Sequence, residues 1–93
     1  MKVILIYDIS VLDNKDYSRL SKVLKVVRKY LHHVQKSVFE GVLTEGRLKM
    51  LESEILSVVD KDKDSVIIYT FPESSSFVRK ILTNSYDNTS NIV

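Results

Sequence analysis

The stretch that decides the fold is Val34-Gln35-Lys36-Ser37-Val38-Phe39-Glu40-Gly41. Its apolar side chains fall on two alternations of period two, which is typical of β structure. Gly41 predicts a bend or a bulge, because glycine inside a strand usually marks one. The spacing fits either one bent strand or a very tight pair of strands over residues 33–43.

Two further elements precede this stretch. The β-branched run Val3-Ile4-Leu5-Ile6-Tyr7 ends at Asp8 and predicts a buried strand. Asp13 or Asn14 is placed to cap a helix that follows. Six apolar residues then recur at helical spacing and form one face of that helix: Leu20, Val23, Leu24, Val27, Tyr30 and Leu31.

A second helix and a last strand follow the central stretch. Thr44 is a suitable N-cap, and the apolar residues of the helix after it are Leu48, Leu51, Ile55, Val58 and Val59. The run from Val66 to Phe71 predicts another buried strand. The order β-α, β or ββ, then α-β predicts an α+β fold with two helices on one face of an antiparallel sheet. The ferredoxin-like βαββαβ arrangement is the commonest fold of this type.

Composition restricts the class of protein. The chain has 93 residues, enough for one small domain, and it contains no cysteine. Disulfides, thiolate metal sites and cysteine nucleophiles are therefore excluded. Five apolar residues before Asp8 do not make a signal peptide, and no apolar run is long enough to cross a bilayer. We therefore expect a cytoplasmic protein with no membrane partner.

Charge is distributed unevenly along the chain. Residues 15–36 carry seven basic side chains against Asp16 alone, whereas residues 40–64 carry seven acidic and four basic ones. Four lysines of the first helix fall within roughly 80° of one another on the side opposite the apolar face: Lys15, Lys22, Lys25 and Lys29. Such a face either binds the phosphates of a nucleic acid or is simply solvated.

Asp8 is the first candidate for a functional residue. A carboxylate at the end of a strand can bind Mg²⁺, which often takes only one or two protein carboxylates together with water and phosphate oxygens. Alternatively, Asp8 caps the turn that follows it. His32-His33 at the end of the first helix is better explained structurally than as a metal site. The segment Asp60-Lys61-Asp62-Lys63-Asp64 begins like an EF-hand loop, but Ser65 and Phe71 stand where such a loop has its glycine and glutamate, so we reject calcium binding there.

Several segments resemble one family, the CRISPR-associated Cas Two proteins, in the right order and with similar spacing over residues 2 to about 71. The most specific is the segment from Gln35 to Gly41. The others are Tyr7-Asp8-Ile9, Arg19-Leu20, Lys22-Val23-Leu24-Lys25, Arg28-Lys29-Tyr30-Leu31 and Asp64-Ser65-Val66-Ile67-Ile68-Tyr69.

The resemblance implies a ferredoxin-like homodimer, with a domain over residues 1–82 and a polar tail over residues 83–93 whose terminal strand is exchanged between subunits. It also implies an endonuclease of RNA or DNA that uses Mg²⁺, with Mn²⁺ as the alternative ion, and that acts with the CRISPR integrase subunit in spacer acquisition. Asp8 would bind the metal and act in catalysis with Tyr7 and Ser37. The residues implied in nucleic-acid binding are Arg19, Lys22, Lys25, Arg28 and Lys29.

Two other functions remain open at this point. In one, the dimer is a non-catalytic scaffold that binds duplex DNA and the integrase, and Asp8 is structural or vestigial. In the other, the chain is an unrelated ferredoxin-like interaction module or toxin-like RNase.

Overall fold

The computed structural model describes residues 1–76 and 78–83. Its elements are β1 (Lys2–Asp8), α1 (Asn14–Arg28), β2 (His32–Gln35), β3 (Val38–Val42), α2 (Glu45–Val58) and β4 (Ser65–Phe71). The four strands form one antiparallel sheet in the order β2-β3-β1-β4. This βαββαβ order confirms the predicted ferredoxin-like α+β fold.

The central stretch forms two strands rather than one bent strand. Lys36 and Ser37 make the tight turn between β2 and β3, and Lys36 adopts a positive φ of 31°. The irregular pairing lies in β2, between His33 and Gln35, so Gly41 does not mark the bulge. A Cβ at position 41 would lie 3.0 Å from the Leu31 Cδ2 atom. A larger residue there would require the Leu31 side chain to shift by a few tenths of an ångström, because the chain after α1 packs closely on β3.

The predicted helix caps are present at both helices. The Asp13 side chain accepts the Asp16 N–H, and the Asp16 side chain accepts the Asp13 N–H, which completes a capping box at α1. At α2, the Thr44 hydroxyl oxygen accepts the Arg47 N–H at 3.2 Å. Each cap satisfies helix donors that otherwise have no partner in the chain.

One face of the sheet packs against the helices and forms the core. Val3, Leu5 and Tyr7 alternate inward along β1. The other residues of this buried cluster come from the helices, β3 and the connecting segments: Ile9, Val23, Leu24, Val27, Leu31, Phe39, Leu43, Leu51 and Ile55. The opposite face of the sheet has no helix of the described residues on it, and we call it the open face.

The prediction that Val66–Phe71 is a buried strand was wrong about burial. β4 lies at the edge of the sheet, and its residues are half-buried or exposed. Ile67 pairs with Ile6 and Tyr69 with Ile4, so all four side chains lie on the open face, because residues directly opposite in an antiparallel ladder share a face. Ile67 and Tyr69 are 47% and 51% exposed. An apolar run by itself does not reveal that only one face of its strand is covered.

Two predictions about the ends of the chain extend past what the structure describes. The tail over residues 83–93, with its exchanged strand, lies outside the described residues except for Thr83, and the boundary at residue 82 stays a prediction. Within residues 1–76 and 78–83, no helix is long and apolar enough to cross a membrane.

Candidate functional site

Asp8 is the last residue of β1 and pairs with Ser65, the first residue of β4. Its side chain is exposed and makes no hydrogen bond or ion pair with the part of the chain that the structure describes. By the alternation of β1, it lies on the open face with Ile4 and Ile6. Asp8 therefore offers a carboxylate at the end of an apolar strip on the face that no helix of the described residues covers.

The turn after Asp8 takes its hydrogen bonds from other carboxylates. Asp64 Oδ1 accepts the Ser10 N–H at 3.1 Å. Asp16 Oδ2 accepts the Leu12 N–H at 2.7 Å and the Asp13 N–H at 3.3 Å. The capping role that the sequence left open for Asp8 is thus performed by Asp16 and Asp64.

Tyr7 and Ser37 meet at the corner where β1 ends and the β2–β3 turn begins. The Tyr7 N–H donates to the Ser37 carbonyl at 3.0 Å, and the Tyr7 hydroxyl donates to the Lys36 carbonyl at 3.0 Å. His33 Nε2 donates to the same Lys36 oxygen at 2.7 Å. The turn is therefore clamped beside Asp8, and its positive φ is held from two sides.

Burial raises the pKa of the Tyr7 hydroxyl above its ordinary value, and the nearby Arg28 charge partly offsets this effect. Tyr7 therefore remains a neutral hydrogen-bond donor at neutral pH. The Arg28 charge acting on Tyr7 also places the end of α1 near this corner.

The basic residues of α1 divide into two groups. Lys22 and Lys25 are exposed, and neither forms an ion pair within residues 1–76 and 78–83. Lys29 pairs with Glu54, so its charge is already partly compensated. Arg19 is 15% exposed at its side chain and pairs with both Asp16 and Asp64. Arg28 is exposed and has interactions of its own.

An open cleft of about 370 Å³ lies between the first half of α1 and the end of α2. It is lined by two lysines, an arginine, two serines and a valine: Lys15, Lys22, Arg19, Ser18, Ser57 and Val58. The free ammonium groups on its rim are suited to phosphate oxygens.

Asp64 is the residue of this region that sequence reasoning missed. Its side chain is fully buried and bonds the Arg19 guanidinium at 2.6 and 3.0 Å. The bonds from Arg19 lower the Asp64 pKa below its ordinary value. The hydrogen bond from the Leu12 N–H has the largest effect in lowering the pKa of Asp16, and the bond from Arg19 lowers it further. The carboxylates of Asp64 and Asp16 in turn raise the pKa of Arg19. The sequence feature that could have identified Asp64 is its place just before a predicted strand, much as Asp8 directly follows one.

A second polar cluster joins the two helices at the other end of α1. Glu54 accepts hydrogen bonds from Lys29 and from the Tyr30 hydroxyl, and both bonds lower its pKa. The Arg47 guanidinium lies 4.8 Å from the centre of the Tyr30 ring. Neither of these hydrogen bonds involves the segment around Asp8.

We tested whether these residues fit a divalent cation. Among the described residues, no group of three or more His, Asp or Glu side chains is arranged to hold a metal ion. One uncompensated carboxylate per chain fits Mg²⁺ or Mn²⁺ only if a second carboxylate, water or phosphate supplies the remaining ligands. Asp8 meets that condition if a second copy of the chain packs on the open face.

The fold and this corner together define a class: a small ferredoxin-like α+β protein with a strand-end carboxylate and a basic helix. The family model described as CRISPR associated protein Cas2 matches residues 1–83. The chain therefore belongs to the CRISPR-associated Cas2 family, which is the Cas Two family that the sequence resembles.

Individual relatives agree with this assignment. The CRISPR-associated endoribonuclease Cas2 2 of Moorella thermoacetica is 50% identical over 91 residues, which cover 98% of this chain and 100% of that protein. The CRISPR-associated endoribonuclease Cas2 of Methanocaldococcus jannaschii is 43% identical over 82 residues, which cover 88% of this chain and 67% of that protein. The crystal structure of Streptococcus pyogenes Cas2 at pH 6.5 superimposes with a TM-score of 0.71 at 27% identity, over 80% of this chain and 89% of that one.

Proposed function

We propose that this protein is a metal-dependent endonuclease of CRISPR defence that cleaves RNA phosphodiesters and works as a homodimer in the cytoplasm. The observation that carries the proposal is the exposed Asp8 carboxylate, which has no protein partner among the described residues and directly follows Tyr7, whose hydroxyl clamps the β2–β3 turn. The names of the relatives, which are called endoribonucleases, support the choice of RNA over DNA.

The homodimer completes the proposed metal site. Ile67 and Tyr69 leave apolar surface on the same open face that carries Asp8. Packing a second copy there would remove this surface from water and bring two Asp8 carboxylates together around a two-fold axis. Residues 84–93 lie outside the described part of the chain, and we propose that their terminal strand extends the partner's sheet.

Asp8 of each subunit would hold Mg²⁺ or Mn²⁺. When bound, such an ion lowers the pKa of a bound water and neutralises charge developing on a phosphodiester. Tyr7 fixes the Lys36–Ser37 turn through its hydroxyl and amide bonds. Ser37 would position the substrate backbone from this turn, whose place beside β1 is fixed by the Tyr7 bonds.

The basic helix supplies the contacts to the nucleic acid. Lys22 and Lys25 are exposed and not engaged in ion pairs, so they can bind phosphates without losing an existing contact. Arg28 adds charge near the Tyr7 corner. Lys29 contributes less in this proposal because Glu54 already neutralises part of its charge.

The second candidate is a non-catalytic scaffold for spacer acquisition, in which the dimer lies along duplex DNA and bridges integrase subunits. One observation favours it: within the described part of a single chain, no group of three or more His, Asp or Glu side chains is arranged to hold a metal ion. In that case Lys22 and Lys25 bind the duplex backbone, and the role of Asp8 is only to end β1.

A cleavage assay separates these functions. End-labelled single-stranded RNA and duplex DNA are incubated with Mg²⁺ or Mn²⁺ and with the wild type, Asp8→Asn or Asp62→Asn. Asp62 provides the matched control, because it is an exposed carboxylate outside this corner. We expect Asp8→Asn and chelator each to lower the rate roughly 100-fold or more, with Asp62→Asn unchanged.

The oligomeric state of each variant is measured in parallel by light scattering. Loss of RNA cleavage in an Asp8→Asn protein that remains a dimer supports the endonuclease. RNA cleavage that does not depend on Asp8 rejects it. Tight duplex binding without any cleavage favours the scaffold.

A further inference from the structure

We infer that Asp16, Arg19 and Asp64, which we call the Arg19 cluster, are positioning residues for Asp8. This inference rests on the proposed function and adds to it the groups that set where the catalytic carboxylate lies. It also gives Arg19 a different role from phosphate binding.

Asp64 joins the cluster to the strand that carries Asp8. It directly precedes Ser65, which is the ladder partner of Asp8. Its buried carboxylate accepts the Ser10 N–H at 3.1 Å and the Asp60 N–H at 2.9 Å. The segment that leaves β1 is therefore fastened to the segment that enters β4, two residues from Asp8.

Arg19 fastens the same segment from the helix. Its Nη2 donates to the Ser10 carbonyl at 3.0 Å, while Nε and Nη1 reach Asp64 and Asp16 at 2.6 and 2.7 Å. Both polar backbone groups of Ser10 are thus bonded to one ion-paired network. Because a guanidinium is a planar fork, it sets the spacing between these groups as well as their charge balance.

Asp16 bonds the rest of the segment between β1 and α1. Its carboxylate accepts the Leu12 and Asp13 N–H groups, so amides at positions 10, 12 and 13 all end on the cluster. The chain between β1 and α1 consists of residues 9–13 only. A displacement of Arg19 or Asp64 must therefore be transmitted to the end of β1, where Asp8 lies.

The second polar cluster shows what a purely structural ion pair looks like in this fold. Lys29, Tyr30 and Glu54 join α1 to α2 without bonding the segment around Asp8. The Arg19 cluster also joins elements, but it additionally bonds the backbone next to the carboxylate. Precise placement matters for catalysis, since a shift of roughly 1 Å in a reacting group can cost on the order of 100-fold in rate.

Phosphate binding by Arg19 conflicts with this geometry. The guanidinium already makes four bonds to Asp64, Asp16 and Ser10, and the side chain is 15% exposed. Reaching a phosphate would leave the buried Asp64 carboxylate without its ion-pair partner.

The test compares Arg19→Lys and Asp64→Asn with Asp62→Asn, which makes the same chemical change two residues from Asp64 but outside the cluster. Cleavage of single-stranded RNA is measured at saturating and limiting substrate, across a Mg²⁺ titration. The temperature is chosen so that circular dichroism shows every variant folded. Asp8→Asn is included to test the proposed function separately.

We expect Arg19→Lys and Asp64→Asn to lower kcat roughly 10- to 100-fold, with KM within about twofold of the wild type. The Mg²⁺ concentration for half-maximal rate should also rise, because a displaced Asp8 binds the ion less well. Asp62→Asn should match the wild type. A lysine at position 19 keeps the charge, so its failure to restore kcat points to the fork geometry.

Each other result overturns a different statement. If Asp8→Asn abolishes cleavage but Asp64→Asn and Arg19→Lys retain full kcat, the positioning role is rejected and the proposed function stands. If Arg19→Lys raises KM and leaves kcat unchanged, Arg19 binds phosphate instead. If wild-type cleavage does not depend on Asp8, both the proposed function and this inference are rejected.

Discussion

At the scale of single residues, Asp16 and Asp64 make the stability of the folded chain sensitive to acid. Their pKa values lie below the ordinary value of 3.8 in the folded protein, through the Leu12 N–H and Arg19 for Asp16 and chiefly through Arg19 for Asp64. A carboxyl group whose pKa is lowered by folding stabilises the folded state at any pH above its ordinary pKa. This stabilisation is lost as the pH falls through the lowered pKa of the folded state. The free energy of unfolding contributed by these two groups should therefore be level between about pH 7 and pH 5 and fall below about pH 4.

Urea unfolding at a series of pH values measures this effect. Asp64→Asn removes one of the two groups, so its stability should be lower at neutral pH and should fall less steeply below about pH 4. Asp62→Asn, whose side chain lies outside the Arg19 cluster, should follow the wild-type curve. Parallel curves for Asp64→Asn and wild type would contradict the assignment of the acid sensitivity to Asp64.

At the scale of secondary-structure elements, local signals in the sequence predicted most of the fold. The Asp13 and Thr44 caps are visible because a capping side chain acts within three residues of itself. The strand β1 is visible because residues 3–7 form a continuous apolar run that ends at Asp8, although the run does not show which of its side chains face the helices. The βαββαβ order then follows from these neighbouring patterns.

The features that the sequence did not predict depend on contacts between distant residues. Gly41 lies close to Leu31, ten positions before it in the chain, and the exposure of Ile67 follows from the position of β4 at the sheet edge. Arg19 looked like one more charge on a basic helix because Asp64 lies 45 positions away. A charge pattern identifies a basic face, but it does not tell which cations are already paired.

The exposed lysines of α1 give a prediction at the same scale. Lys22→Ala together with Lys25→Ala should weaken binding of single-stranded RNA roughly tenfold at moderate salt. The slope of log affinity against log salt concentration should become shallower by about 1.4. The reason is that binding releases about 0.7 fewer counterions from a single strand for each phosphate contact that is lost. Fluorescence anisotropy across a salt series measures both quantities.

A charge-matched control is available on α2 and in the turn that follows it. Lys49 is exposed on α2 and lies outside the basic helix, so Lys49→Ala paired with Lys61→Ala removes the same charge. This control should keep the wild-type slope. An equal loss of slope in both pairs would indicate that general charge rather than the face of α1 determines binding.

At the scale of the whole molecule, the open face of the sheet determines the expected assembly. Ile67→Asp places a charge where a second copy would pack, and burying it without a partner is unfavourable. We expect this variant to stay folded and to become monomeric by light scattering, with loss of cleavage. Met50→Asp alters a side chain on α2 that is 54% exposed, comparable to Ile67, and should remain an active dimer.

Mixed dimers then test whether the two Asp8 carboxylates act together. Wild type and Asp8→Asn are unfolded together in equal amounts and refolded, so about a quarter of the dimers carry two wild-type subunits. If the site needs both carboxylates, the mixture should keep about a quarter of the wild-type rate, and activity should follow the square of the wild-type fraction. If each carboxylate works alone, activity should instead fall in direct proportion to the wild-type fraction. A proportional fall would place a complete site in each subunit and would remove the functional reason for packing the open faces together.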